Sequence, residues 1–458
     1  MVNAAAEAAA VRAAPVPNSA WRLIVLEFWE RFSYYGILAI LVLFLTSPEA
    51  AGGFGWSDSR ALDLLATFTA LAFMLPTLGG YVADRWIGPR MSVLVGSWLL
   101  VLGNVSITLA ALHSKLPSLA ADRAAGEGAL FGGMMLVALG NGFFKSSLIT
   151  LLGGLFSEDG VARDRAFRRY YQAIMLGALA ASLCVGAMAQ AAGWWSGFAL
   201  TALGMAISLL IFLRLASPEL RASMQCATAH PATVATRGDE PVTASAISIG
   251  VLCAFLPLIT VAWVQLQGLW LLEVERWCDR TIGSFTVPSA WLLAVNAIVI
   301  VMLAPIAGRM WQRLGRPGQA PGFAAQFVTA FFIMGLAHLL IAVGFSDPKP
   351  GAVSLLWPVG CVLIITVAEA IFWPSSYNAL HRLAPIRLRS MLMGLWLAML
   401  GLGQYFAHQV ARSAEVIGFP SLSISIGVAM LVGGVALALC ARRLPALALR
   451  EGPCLPKT

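Results

Sequence analysis

Apolar residues in this chain gather into runs of about twenty, set apart by short polar stretches. Such a run, wound as a helix, is long enough to cross a hydrocarbon layer about 30 Å thick. The pattern predicts spans at 21–46, 60–83, 91–112, 129–152, 170–192, 195–214, 246–272, 288–309, 322–345, 353–378, 391–411 and 421–441. Between the fifth and sixth, Gly193-Trp194-Trp195 has to serve as a very short turn. The one long polar stretch, 215–245, divides the spans six and six. The expected organisation is therefore an N-terminal tail (1–20), a six-helix bundle (21–214), a linker (215–245), a second six-helix bundle (246–441) and a C-terminal tail (442–458). Residues 1–20 are Ala-rich but lack a basic segment with a cleavage site, so no signal peptide is read there.

Composition agrees with the pattern. Apolar residues make up 59% of the 458 and charged residues 11%, against about 25% charged in soluble domains. The chain is expected to be an all-α, multi-pass protein of an inner or plasma membrane, with the lipid bilayer as its surroundings. If the N-terminus is inside, 21 Lys and Arg fall on inside segments and 7 on outside loops. That asymmetry puts both termini and the linker in the cytoplasm. It also accounts for the net charge of +8, so no nucleic-acid partner is inferred. The seven cysteines show no CxxC spacing, and no metal site is expected.

Ionisable groups within the apolar runs are costly, about 2.5–3.5 kcal/mol each at mid-helix on insertion scales, and they mark function. Glu27, Glu30, Arg31, Tyr34, Tyr35 and Leu38 fall on one helical face. Arg31 lies about 15 Å along the first span, near the bilayer centre. Glu27 precedes Arg31 by one turn and can pair with it, which leaves Glu30 for Lys145 at matching depth in the fourth span. The second half offers one deep acid, Glu369; Pro374, five residues on, is expected to interrupt that helix. The deep acids outnumber the deep cations by one, so a single proton neutralises the set. Cations in one half and an acid in the other suit a small zwitterion.

Two six-span halves joined by a linker resemble the major facilitator fold, with a substrate site near the midplane. Gly79-Gly80-Tyr81-Val82-Ala83-Asp84-Arg85-Trp86-Ile87-Gly88-Pro89-Arg90 is similar to the GG-x-x-AD-R-x-x-G-x-R loop of that superfamily. There Gly80 and Gly88 allow close helix approach, and Asp84, Arg85 and Arg90 can clamp helix ends. Within that superfamily, Glu27-Phe28-Trp29-Glu30-Arg31-Phe32-Ser33-Tyr34-Tyr35-Gly36 resembles the ExxERFxYYG run of the proton-dependent oligopeptide transporters. Further similarity lies at Gly140–Lys145, Asn296–Pro305, Glu369–Pro374, Leu383-Ala384-Pro385 and Met393-Gly394-Leu395-Trp396.

The resemblance implies proton-coupled uptake of di- and tripeptides by alternating access, with the proton as coupling ion and no other cofactor. It assigns proton coupling to Glu27, Glu30 and Lys145, and the peptide pocket to Arg31, Tyr34, Tyr35, Lys145, Asn296, Glu369 and Trp396. Departures from the family pattern define a divergent member. The Asn usual in span five is Met175, a Tyr usual in span two is Phe73, and an Arg–Glu pair at the outer gate is replaced by Leu38 and Gln267. These less polar positions keep an alternative open: a carrier, in either direction, of another zwitterionic or peptide-like compound such as an amino-acid derivative or a peptidic natural product. A non-transporting scaffold would not need the deep charges. An enzyme is not expected, since HExxH and GxSxG motifs are missing from the sequence.

Overall fold

The computed structural model describes residues 18–116, 122–155, 160–214, 242–314, 323–347, 349–383 and 389–443. Each expected span has its helix. In chain order they are α1 (Asn18–Thr46), α2 (Asp58–Val82), α3 (Gly88–Lys115), α4 (Arg123–Gly154), α5 (Gly160–Ala192) and α6 (Trp194–Arg214). The second half has α7 (Val242–Val264), α8 (Leu269–Trp277), α9 (Trp291–Leu314), α10 (Phe323–Gly344), α11 (Leu356–Leu383), α12 (Arg389–Arg412), the short α13 (Ala414–Ile417) and α14 (Phe419–Arg443). Among the described residues nine stretches are apolar and long enough to cross a bilayer, and one of them, Asp58–Lys115, takes in two expected spans. Gly193 alone separates α5 from α6, and its φ of +94° is a backbone state that glycine adopts without strain.

Backbone proximity divides the chain into two compact units. The first comprises Met1–Gly55 and Leu71–Val234, the second Trp56–Ala70 and Ala235–Thr458. Helix α2 thus contributes its first half to one unit and its second half to the other.

In the first unit, helices are held by glycine seams. A methyl on Gly96 would lie 2.7 Å from the Gly140 carbonyl oxygen, and one on Gly103 would lie 2.6 Å from that of Gly133. The seven-residue spacing on both helices brings the backbones of α3 and α4 together twice along one face. In lipid, where water does not drive helices together, such close packing supplies the association energy. Asn104 joins three helices: its Oδ1 accepts from Ser33 Oγ of α1 and from Thr201 Oγ1 of α6, each at 2.9 Å. The turn after α2 is a wide π-type turn, Ala83–Ile87, closed by Gly88 at φ +74°. The close approach expected of Gly80 belongs more to Gly79, whose added Cβ would meet the Gly142 carbonyl oxygen of α4 at 2.3 Å. Arg85 is exposed and Arg90 half-buried; the side chain of Asp84 lies outside the described residues.

In the second unit, two expectations about helix breaks reverse. The run 246–272 is not one helix. It breaks at the 3₁₀ turn Gln265–Gln267 and at Gly268, whose φ of −134° and ψ of −84° are not helical. Gln265 Nε2 donates to the Val261 carbonyl at 3.0 Å and to the Ala407 carbonyl of α12 at 2.9 Å, and His338 of α10 bonds the Ala262 carbonyl at 2.9 Å, so backbone oxygens next to the break are satisfied by Gln265 itself and from α10. The interruption expected at Pro374, by contrast, does not appear: α11 runs through it to Leu383. A proline forfeits one hydrogen bond to the preceding turn, and neighbouring turns carry the helix, as they do around Pro76 and Pro257.

The segment Trp56–Ala70 is tied into the second unit by charge. Arg276 pairs with Asp58, Asp63 accepts from Arg412 at 3.2 Å and Gln409 at 3.1 Å, and Glu415 accepts the Ser59 N–H at 2.7 Å. Leu38 in the first unit and Gln267 in the second are both buried.

The glycine seam gives a direct test. Gly103→Leu drives a side chain into the α4 backbone, whereas Gly132→Leu, with nothing within 4 Å of its added Cβ, meets open space. We expect the first to lower the thermal midpoint in detergent, by the equivalent of about 1–3 kcal/mol or more, and the second to leave it unchanged.

Candidate functional site

The first unit places its deep charges at the junction of α1, α2, α4 and α5. Glu27, Glu30 and Arg31 are all buried, at 0, 1 and 3% exposure. Gly177 of α5 makes the burial possible: a Cβ there would lie 2.5 Å from the Phe28 carbonyl oxygen and 3.0 Å from Arg31 Cβ, so α5 closes directly onto the α1 backbone.

Arg31 gathers the partners around it. Its Nε is 2.5 Å from Glu30 Oε2 and its Nη2 donates to Glu30 Oε1 at 2.6 Å, a two-bond fork on one carboxylate. The Glu27 carboxylate lies 3.4 Å from Arg31 Nε on the other side. Asn141 Oδ1 accepts from Nη2 at 3.4 Å while its own Nδ2 donates to the Ala72 carbonyl at 3.3 Å, which fastens the arginine to α2 and α4. The Tyr34 ring sits 5.0 Å from the guanidinium carbon, and Tyr35 packs edge-on against Tyr34.

This arrangement corrects the expected pairing. Glu30 is committed to Arg31, not Lys145, because the guanidinium fork can hold a carboxylate on its own helix and still reach Glu27. Lys145 is half-buried, and its Nζ lies 5.2 Å from the centre of the Phe73 ring. Among the described residues it makes no ion pair. Glu27 differs from Glu30 in another way: neither of its oxygens accepts a hydrogen bond among the described residues. Tyr170 of α5, also buried, interacts with Glu27 without forming a well-aligned hydrogen bond.

The second unit holds its acid differently. Glu369 on α11 is buried, and Asn296 Nδ2 of α9 donates to its Oε2 at 2.6 Å. The same amide donates to Thr366 Oγ1 at 2.9 Å, and Thr366 in turn donates to the Val362 carbonyl at 2.7 Å. Among the described residues no cation pairs with Glu369. Trp396 is in α12 and fully buried; its indole N–H has no partner among the described residues, and no described hydrogen bond joins it to Asn296 or Glu369.

Three contributors were not singled out from sequence. Asn141 lies four residues before Lys145, and Thr366 three before Glu369, so helical spacing from a deep charge would have marked both. Tyr170 gave no such signal, because it meets Glu27 only through the packing of α5 on α1.

Comparison with known proteins bears on this arrangement. The POT family profile matches residues 90–217 and 220–420. The chain is 26% identical to the peptide transporter YePEPT of Yersinia enterocolitica, over 91% of this chain and 92% of that protein. It is 24% identical to a di-/tripeptide transporter of Lactococcus lactis subsp. cremoris, over 90% and 93%. A crystal structure of the peptide transporter POT, a mutant in complex with alafosfalin, superimposes with a TM-score of 0.81 at 24% identity, over 94% of this chain and 96% of that one. A POT family transporter in complex with 5-aminolevulinic acid gives 0.77 at 21% identity, over 93% and 97%.

The buried cluster predicts strong non-additivity. Arg31→Ala leaves two carboxylates without their cation, and we expect a loss of about 3–5 kcal/mol, read as a lower thermal midpoint. Adding Glu27→Gln and Glu30→Gln should recover much of that loss. Additive effects in this cycle would mean that the three groups do not share one site.

Proposed function

The chain belongs to the POT family and is a multi-pass membrane transporter of the major facilitator fold; from that premise we propose that it takes up short peptides, di- and tripeptides, together with protons. The observation that carries this reading is how charge is divided between the two units. In the first, Arg31 is met by Glu27 and Glu30, and the half-buried Lys145 forms no ion pair among the described residues. In the second, Glu369 is an acid with amide and hydroxyl neighbours and no described cation. A zwitterion offers each what it lacks: a carboxylate for Lys145 and an amine for Glu369. Asn296 orients the acid.

Proton coupling follows from the same groups. A buried carboxylate without hydrogen-bond donors is costly as an anion, and a proton removes that cost. Glu27 accepts no well-aligned hydrogen bond among the described residues and has Arg31 Nε only at 3.4 Å, whereas Glu30 has its charge met by the Arg31 fork. Glu27 is therefore the proton carrier of this reading. Glu30 fixes the charge of Arg31, and Lys145 links the proton to the substrate by sensing both the carboxylates and the bound anion. The asymmetry of Lys and Arg supports a cytoplasmic side, at an inner or plasma membrane, for both termini and for the 215–245 linker, of which 215–241 lie outside the described residues.

A second reading keeps the mechanism and changes the cargo to another small zwitterion. Met175 supports it: half-buried, two residues before the Gly177 contact on Arg31, it brings a thioether where relatives bring an amide. The neighbour bound to 5-aminolevulinic acid shows a member of the fold holding an amino acid with a separated amine and carboxylate.

Uptake of a labelled dipeptide into proteoliposomes under an inward proton gradient tests the proposal. We expect concentrative uptake by the wild type and none by Lys145→Ala; accumulation by that variant would remove Lys145 from coupling. N-acetylation of the dipeptide should weaken competition in the wild type far more than in Glu369→Gln. Equal competition by both compounds in the wild type would exclude Glu369 as the amine receptor and favour the second reading.

A further inference from the structure

We propose that Phe73 is a positioning residue that keeps Lys145 free of the neighbouring carboxylates, so that its charge remains available to the substrate. The inference deepens the transport reading above and rests on it.

Lys145 has anionic neighbours within the same cluster, and a lysine's four-carbon stem is flexible enough to seek them. Yet among the described residues it pairs with neither Glu27 nor Glu30. Its ammonium instead lies 5.2 Å from the Phe73 ring centre. An aromatic face attracts a cation through its quadrupole and carries no charge of its own. It therefore holds the ammonium without cancelling it, which a carboxylate could not do. The residue is half-buried, and its ammonium is not joined to a carboxylate among the described residues.

The ring is fixed in place by backbone contact. Gly79 of α2 lies against the Gly142 carbonyl of α4, and a Cβ on Gly142 would meet Leu75 Cβ at 3.0 Å. Asn141 Nδ2 donates to the Ala72 carbonyl at 3.3 Å, immediately before Phe73. These contacts set the register of α2 on α4 within two turns of both Phe73 and Lys145. Asn141 also binds Arg31, so the same register that seats Lys145 on the ring holds the competing guanidinium on Glu30. A tyrosine keeps the aromatic face, and an aliphatic residue of similar bulk does not.

The test uses the full chain in proteoliposomes, with Phe73→Leu, Phe73→Met as a second aliphatic variant, and Phe73→Tyr. Competition by a dipeptide and by its C-terminal amide separates carboxylate binding from general damage. We expect the aliphatic variants to weaken the dipeptide by about three- to twentyfold, to leave the amide unchanged, and Phe73→Tyr to retain wild-type values. Equal loss on both compounds, no loss on either, or failure of the tyrosine to retain binding would overturn the proposal. A second measurement needs no substrate: acetylation of Lys145 by an amine-reactive reagent at fixed pH, followed by mass spectrometry. Once released from the ring, Lys145 pairs with Glu27 or Glu30, so acetylation should slow several-fold in Phe73→Leu and not in Phe73→Tyr, with Lys115 and Lys349 unaffected. An unchanged rate would refute the role of Phe73. If the wild type binds neither compound, the transport reading fails and the acetylation result alone decides the matter of Phe73.

Discussion

Arg31 lies buried among apolar helices with two carboxylates of its own helix turned onto it, one through a two-bond fork and one at 3.4 Å. A guanidinium cannot lose its proton, so in such surroundings its charge has to be met on the spot. Much of the first unit follows from that requirement. Gly177 has no side chain because α5 closes over the α1 backbone there, and Asn141 bridges α4 to α2 with one end on the arginine. With Arg31 taking both carboxylates, Lys145 lies against the aromatic face of Phe73 and forms no ion pair among the described residues.

The second unit is built on the opposite principle. Its acid, Glu369, is surrounded by neutral donors and hydroxyls instead of by a cation. A neutral amide can stabilise either protonation state by small changes in hydrogen bonding, and it leaves the acid's attraction for an amine unspent. The first unit thus holds a saturated arginine with a spare lysine, and the second an acid with only neutral neighbours among the described residues.

Helix α2 stands apart from the other spans because its first half clusters with the second unit and its second half with the first. The ion pairs at Asp58 and Asp63 secure one part, and the Gly79 contact with α4 secures the other. The break at Gln265–Gly268 is likewise held to two helices, by Gln265 donating to the Ala407 carbonyl of α12 and by His338 of α10 on the Ala262 carbonyl. Irregular backbone is tolerated in both units only where a side chain or a close backbone supplies the lost hydrogen bond or packing.

The sequence by itself determined where the apolar helical runs lie, because a bilayer demands about twenty apolar residues per crossing and that requirement is local. It also determined which groups matter, since a charge inside such a run is legible from its cost alone: Glu27, Glu30, Arg31, Lys145 and Glu369 were all marked before any coordinates. Only the tertiary structure decided who pairs with whom. Helical phase allowed Glu30 to reach Lys145, but the choice between a lysine on α4 and an arginine one residue away depends on where α4 and α5 sit, and that was set by Gly79, Gly142 and Gly177 meeting backbone. The helix break showed the same division. Pro374 looked like an interruption and Gln265–Gly268 did not, because whether a helix bends is settled by the partners its freed carbonyls find, here the side chain of Gln265 within the turn and His338 from another helix.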